Sequence, residues 1–427
     1  MNLSDSHVPS YWSASEQEVF RQWWWRREDL RYVEGHLFLG DQNLHSLAYS
    51  VGTPCYVYNS SRIKQNILRI HSALERASLR HRIFYAIKAN RNPMLLTYIR
   101  SLGLTGVDCC SPNELLFGRQ VGFLEEEISY TGVSVSNDDL AILTRHSGVF
   151  INCDSLSQIR RLGHLTPGRE IGIRVNPNIG LSYNAASRLQ YSGHKTTKFG
   201  IYKDSFLEAL QLAAEYKLNV TGIHCHSGFG FLSKELPVLE MLLNEICWFV
   251  DQLKNPKYVN LGGGLGVPFV KDDCPLDLEA WARLIANYFA PKDLEVFVEP
   301  GCYIVKDSGV LLLQVTQIER KQDKIFVYVN GGHNINLSSM FYQLPLAVVP
   351  VVLQKQQDMN SRSNWIQVSI AGNINEAIDI FAEDIYLPSL QEGDYLAFLN
   401  AGGYGSSMSS NHCMRGHFME FLIYPKE

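Results

Sequence analysis

The strongest constraint on this chain is an alternation. Short apolar runs recur at "RIFYAI" (82–87), "TGVDCC" (105–110), "ISYTG" (128–132), "VFINCD" (149–154), "EIGIRVN" (170–176), "VTGIHCH" (220–226), "KYVNLGG" (257–263) and "LEVFVEP" (294–300). Most are followed by a segment of helical periodicity, such as "PNELLFGRQVG", "SNDDLAILTRH", "SLSQIRRLG" and "SFLEALQLAAEYK". Eight strand–helix units in succession specify an α/β fold, a (β/α)8 barrel. The stretch between Asn176 and Tyr202, rich in Gly, Ser, Asn and Thr, interrupts the rhythm and is expected to be a functional loop. Past residue 305 the pattern changes to strands with little helix between them: "VLLLQVTQIER", "KIFVYVN", "LAVVPVVL", "NWIQVSIAG", "DYLAFLNAG" and "FMEFLIY". These form a separate β-sandwich or β-barrel domain. "LRYVEGHLFLG" and "PCYVYN" join it or lead from it into the barrel. The expected division is an N-terminal arm and strand over 1–51, a barrel over 52–304 and a β-domain over 305–427.

Composition narrows the partners. The 427 residues are 46% hydrophobic and 19% charged, ordinary for a globular chain with a large core. A net charge of −5 gives no reason to expect nucleic acid. No run of 18 apolar residues suggests a membrane span, and the N-terminus lacks the apolar core of a signal peptide. It reads as a short amphipathic helix with three tryptophans, a packing arm. Nine cysteines without a CxxC pair indicate reduced thiols in a cytoplasm, with no metal site.

In such a barrel the active site lies at the C-terminal ends of the strands. Those ends carry Lys88, Asp108, Thr131, Asp154, Arg174 with Asn176, His226, Gly262 to Gly264, and Glu299. Thr131 and Asp154 read as cap or turn residues. The others converge on a chemistry. A lysine among apolar residues is costly unless paired or chemically changed, and at a barrel mouth it can form a Schiff base with an aldehyde cofactor. "NLGGGLG" offers backbone N–H groups to a phosphate. A carboxylate such as Glu299 keeps a pyridine nitrogen protonated, which is the electron sink of pyridoxal phosphate. A histidine can stack on the ring.

With these residues in place, the chain resembles the alanine-racemase-like pyridoxal phosphate enzymes that decarboxylate basic amino acids, most of all the diaminopimelate decarboxylases. The likeness runs from "GTPCYVYN" to "GHFMEFLIYP" through "FYAIKAN", "GVDCCSPNEL", "INCDSLSQ", "GIRVNP", "KFGI", "GIHCHSG", "NLGGGLG", "VEPG" and "AGGYGSSMSSN". It implies pyridoxal phosphate as cofactor and a homodimer with shared active sites. It makes Lys88 the imine-forming lysine, His226 the ring-stacking group and Glu299 the partner of the pyridine nitrogen. Gly262, Gly263, Gly264 and Gly301 would bind phosphate through backbone amides, helped by the hydroxyl of Tyr404. Asp108 and Arg174 would be supporting polar groups.

The departures from the family pattern concern the substrate. "HSGF" puts Phe229 at a phosphate-binding serine. "EPGC" puts Cys302, and "HNINLSSMFY" puts Ser338, at two arginines of the substrate-carboxylate end; Tyr342 is retained. "GNINEAIDIF" keeps Glu376 and Asp379 but places Asn375 at the proton-donating cysteine. His412–Cys413 replace a Tyr–Asn pair. Neither Cys nor Ser can clamp a carboxylate, and Asn is no acid. His412, Cys302, His333 and water are candidates for the missing acid. The expected function is decarboxylation of a small amino-acid-type substrate other than free diaminopimelate. A substituted diamino acid of siderophore or other specialised biosynthesis fits, as does an amino acid tethered to a carrier protein. The alternatives are diaminopimelate decarboxylation in lysine biosynthesis, and a non-decarboxylating or catalytically dead paralogue.

Overall fold

The computed structural model describes residues 24–185, 187–193, 195–353 and 365–425; the expected Trp-rich N-terminal helix lies mostly outside them. The chain divides into two units. One comprises Ile63–Val267 and Cys274–Val305; the other comprises the described residues up to Arg62, Pro268–Asp273, and those from Lys306 onward.

The first unit is a closed barrel of eight parallel strands: β1 (His81–Ala86), β2 (Gly106–Cys109), β3 (Ile128–Tyr130), β4 (Phe150–Cys153), β5 (Glu170–Asn176), β6 (Asn219–His224), β7 (Tyr258–Asn260) and β8 (Glu295–Val298). Each pairs with the next, and β8 returns to β1 through Val298 opposite Ile83. Local chemistry sets the helices between them. Asn92, Ser111, Ser136 and Ser155 each cap a helix start by accepting a backbone N–H with the side chain. The barrel interior is plugged by Phe84, Tyr258 and Phe297, with Phe150 packed against them; Tyr258 and Phe297 stack at 4.5 Å. That plug requires a glycine beside it. A Cβ on Gly222 would lie 2.1 Å from the Tyr258 ring. With the plug below, polar side chains gather at the opposite rim.

The second unit is built on a mixed sheet. Gly309–Lys321 is its long central strand, pairing with Cys55–Asn59, Lys324–Val329 and Tyr395–Phe398. Met419–Ile423 adds to Cys55–Asn59, and Val348–Pro350 to Tyr395–Phe398. Leu30, Leu37, Leu39, Val57, Leu312, Val351 and Leu399 share one core of this unit, so "LRYVEGHLFLG" and "PCYVYN" belong with it. The longest strand that the sequence reading passed over is Ile380–Pro388, paired with Trp365–Ala371. Its central Ala–Glu–Asp breaks the apolar signal, and Asp384 sits at φ +53° where the strand bulges.

Candidate active site

Lys88 lies in a single 3₁₀ turn, Ile87–Ala89, that ends β1. The hydroxyl of Tyr85 donates to the Asn90 carbonyl (2.9 Å) and holds that turn. The Lys88 ammonium reaches sideways to β2, where its Nζ is 2.7 Å from Asp108 Oδ2. The lysine side chain keeps 38% of its exposure while Asp108 is almost fully enclosed. Burial above all, and then the charge of Glu299, raise the Asp108 carboxyl against the opposing pull of Lys88. Its Oδ1 is buried and has no hydrogen-bond partner among the described residues.

Glu299 follows β8 and is held from three strands. Ser129 Oγ (2.8 Å) and Asn260 Nδ2 (2.7 Å) donate to Oε1, and His224 Nε2 lies 3.1 Å from Oε2. Asn152 extends the network by donating to Thr131 Oγ1 (3.0 Å) and Ser129 Oγ (3.3 Å). Burial alone would raise the Glu299 carboxyl. The charge and hydrogen bond of His224, the Lys88 ammonium and the Asn260 amide together outweigh it, so the group is held below the usual carboxylate range. An ionised carboxylate has about four acceptor sites. Three are taken, which leaves one on Oε2.

The glycine triplet wraps the rim after β7. A Cβ on Gly262 would meet the Cys225 carbonyl at 2.5 Å, and one on Gly263 the Glu299 carbonyl at 2.4 Å. Glycine is therefore needed first for close backbone approach. The Gly262 N–H donates to Asn260 Oδ1 (2.9 Å) and the Gly263 N–H to His226 Nδ1 (3.3 Å). Two of the expected phosphate-binding amides are thus engaged internally; among the described residues the N–H groups of Gly264 and Gly301 make no such bond. Because Nδ1 of His226 accepts, its proton sits on Nε2. Burial first, then the charges of Lys88 and Arg174, push this imidazole well below its ordinary value, so it is neutral at pH 7.

Arg174 donates to Asp154 Oδ2 (2.9 Å), and its guanidinium lies over Phe199 at 4.6 Å. Asp154 also accepts the Gly200 N–H (3.2 Å). Neither Asp154 nor Thr131 is a helix cap, one of the two roles, cap or turn, expected of them. Both are buried members of side-chain networks; Ser155 is the cap instead.

In the β-rich unit, Asp379 is buried and fastens a loop. Its Oδ1 accepts from the His333 N–H (2.7 Å) and lies 3.0 Å from His333 Nδ1, and its Oδ2 accepts from the Ile374 N–H (2.6 Å). Asn375 and Glu376 lie exposed on that loop, and Glu376 Oε1 is 3.1 Å from His412 Nε2. Ser338 is buried in the short helix Leu337–Tyr342, which Tyr342 ends. Tyr404 takes a left-handed backbone, φ +62°. Cys302, in the barrel unit just past Gly301, is buried.

Ser129, Asn152, His224, Asn260 and Tyr191 were missed from the sequence. A signal existed for His224: it ends the strand two residues before His226, at the spacing that strand alternation puts on one face. The rim fits pyridoxal phosphate. It offers an amine at Lys88, an orphaned acceptor at Asp108, an anionic Glu299 with one site left, a neutral imidazole, and a glycine cradle that any Cβ would fill. Among the described residues no cluster of three metal-ligating side chains occurs and no helix is long and apolar enough to cross a membrane.

Residues 60–306 match the family model of the pyridoxal-dependent decarboxylases, pyridoxal binding domain. A diaminopimelate decarboxylase of Methanothermobacter thermautotrophicus is 34% identical over 401 residues, 91% of either chain. One of Aquifex aeolicus is 30% identical over 404 residues, 92% of either chain. Among solved structures, the diaminopimelate decarboxylase of M. jannaschii in complex with L-lysine matches with a TM-score of 0.83 at 26% identity, covering 93% of both chains.

Proposed function

This chain belongs to the pyridoxal-dependent decarboxylases, and from that premise we propose that it decarboxylates an amino acid or amino-acid derivative other than free diaminopimelate. The general activity follows from membership: a pyridoxal phosphate-dependent amino-acid decarboxylase, a carboxy-lyase. The cofactor, when bound, supplies an aldehyde and an electron-accepting ring that takes up the electron pair left as carbon dioxide departs. Lys88 is the amine that holds the aldehyde. Asp108 accepts a hydrogen bond from that amine and can hold its displaced proton. Glu299 stays anionic and keeps the ring nitrogen protonated. Neutral His226 presents a flat, uncharged face. The N–H groups of Gly264 and Gly301 would serve the phosphate, a role the family resemblance extends to the hydroxyl of Tyr404.

The observation that carries the substrate reading is the side-chain content of two buried positions. Cys302 and Ser338 stand where the resemblance places arginines. Neither supplies a cation for a substrate's distal carboxylate, and a buried carboxylate stripped of its partner costs ~3–5 kcal/mol. Glu376, next to Asn375, remains to read a distal amine or amide, with Tyr342 and His412 as further contacts. A substituted diamino acid or a carrier-tethered amino acid suits such a site. The second reading, diaminopimelate decarboxylation, is supported by the names of relatives that are 30–34% identical over nine-tenths of the chain.

Carbon dioxide release from diaminopimelate, lysine, ornithine and N-acylated or citryl diamino acids separates the two. The expected result is turnover of a substituted substrate and very poor turnover of diaminopimelate. Cys at Asn375 alone should not rescue the latter, because the binding deficit remains. Efficient, saturable turnover of diaminopimelate by the unmodified protein would establish the second reading.

A further inference from the structure

The loop between β5 and the next helix supplies a residue that the strand ends did not foreshadow. Tyr191 meets the His226 imidazole edge to face, with ring centroids 4.6 Å apart and planes at 63°. Tyr191 also packs on Phe199 at 5.2 Å. Phe199 lies under the Arg174 guanidinium, and Arg174 is fixed by Asp154. The same Asp154 oxygen takes the Gly200 N–H, so one carboxylate ties down both the base of the stack and the end of the loop. Short bonds hold Tyr191 in place. The Thr197 hydroxyl donates to the Tyr191 carbonyl (2.8 Å), and the Ser192 hydroxyl donates to Asn176 Oδ1 (2.6 Å). The Asn176 amide in turn donates to the Phe199 carbonyl (2.7 Å).

His226 has little else to fix its plane. Among the described residues its hydrogen bond is the long one from the Gly263 N–H (3.3 Å). The torsion that turns an imidazole about its stem has broad, nearly two-fold wells, and one weak bond at Nδ1 does not select a well. The ring contact with Tyr191 does, because edge-to-face pairs prefer a defined tilt.

We propose that Tyr191 is a positioning residue that sets the plane of His226 and so keeps its Nδ1 on the Gly263 N–H, with Phe199, Arg174 and Asp154 as the stack that carries it. Asp154, and Arg174 beyond its direct charge effect on His226, then act on the site through two intervening rings. This rests on the reading of His226 as the group that lies against the cofactor ring, and it adds the device that presents that ring flat.

The test uses the full chain as wild type, Tyr191→Phe, Tyr191→Leu and Phe199→Leu. In the cofactor-free protein, ¹⁵N–¹H correlation of the His226 ring should show one Nε2–H tautomer in wild type and Tyr191→Phe. In Tyr191→Leu it should show a tautomer mixture and at least tenfold faster modification by diethyl pyrocarbonate. Phe199→Leu should move the same way by less, and it decides the matter should Tyr191→Leu fail to fold. With pyridoxal phosphate added, Tyr191→Leu should bind at least tenfold more weakly with an altered visible circular dichroism band, and Tyr191→Phe should match wild type. If both leucine variants keep the wild-type His226 spectrum, or if Tyr191→Phe loses as much as Tyr191→Leu, the proposal is wrong. A wild-type protein that binds no pyridoxal phosphate would overturn the functional reading, while the cofactor-free His226 spectra still decide this one.

Discussion

Lys88 is tolerated at the end of an apolar strand for two reasons visible at its own scale. The strand stops at Ala86, two residues before it, and Asp108 stands 2.7 Å away on the neighbouring strand. Sodium borohydride should therefore fix pyridoxal phosphate to the peptide that contains Lys88, and Lys88→Ala should yield a colourless protein. Labelling at another lysine would reject the assignment. Asp108 makes a pH prediction for the cofactor-free protein. Its folded pKa is raised above the unfolded value, so between those two values the folded state binds more protons than the unfolded one. Its contribution to stability must then fall as pH rises from about 4 toward neutrality, by up to ~1.4 kcal/mol per pH unit for one proton. Urea midpoints of wild type and Asp108→Asn, compared across that window, should diverge at the wild type's expense as pH rises. Parallel curves would show that Asp108 is not shifted. From the sequence, Lys88, His226 and Glu299 were legible because each follows a recognisable strand. Ser129, Asn152 and Asn260 were not, since short polar residues inside strands carry no mark of what they face.

At the scale of elements, the rim is made of turns that only glycine can form. Within the triplet Gly263 is the tightest, because its Cβ would strike the backbone carbonyl of Glu299, which has no side-chain freedom with which to yield. Gly263→Ala should move the 299–301 turn and weaken pyridoxal phosphate binding roughly tenfold or more, equivalent to ~1.4 kcal/mol. Gly103→Ala is the control. It sits at a helix end at φ +63° with open space around it, so it should cost about 1 kcal/mol of stability and leave cofactor affinity unchanged. Equal losses of affinity would mean that the triplet is not part of the cradle. The eight barrel strands and the helices after them were readable because period-2 and period-3.6 patterns are local, and four of those helices start on a Ser or Asn cap at the expected offset. Ile380–Pro388 was not, because a partner strand and a bulge, rather than its own apolar pattern, make it a strand.

For the whole molecule, the resemblance carries a homodimer with shared sites into the functional proposal. Mixing Lys88→Ala with Glu376→Ala protein, each inactive alone, should restore part of the activity through hybrid dimers, as read by carbon dioxide release after subunit exchange. Full activity in a strictly monomeric preparation would contradict it. The amino-acid sequence by itself determined the architecture and the cofactor chemistry. Strand–helix alternation is written in local periodicity, and a barrel of this kind brings every strand end to one rim. What only the tertiary structure decided is which interior residues meet there and in what charge state. Closing the barrel sets β8 beside β1 and brings Ser129, His224 and Asn260 from three separate strands onto one carboxylate. It also decides which groups lose water. Glu299 stays ionised and His226 stays neutral because of burial and of neighbours distant in sequence, and no local pattern records either.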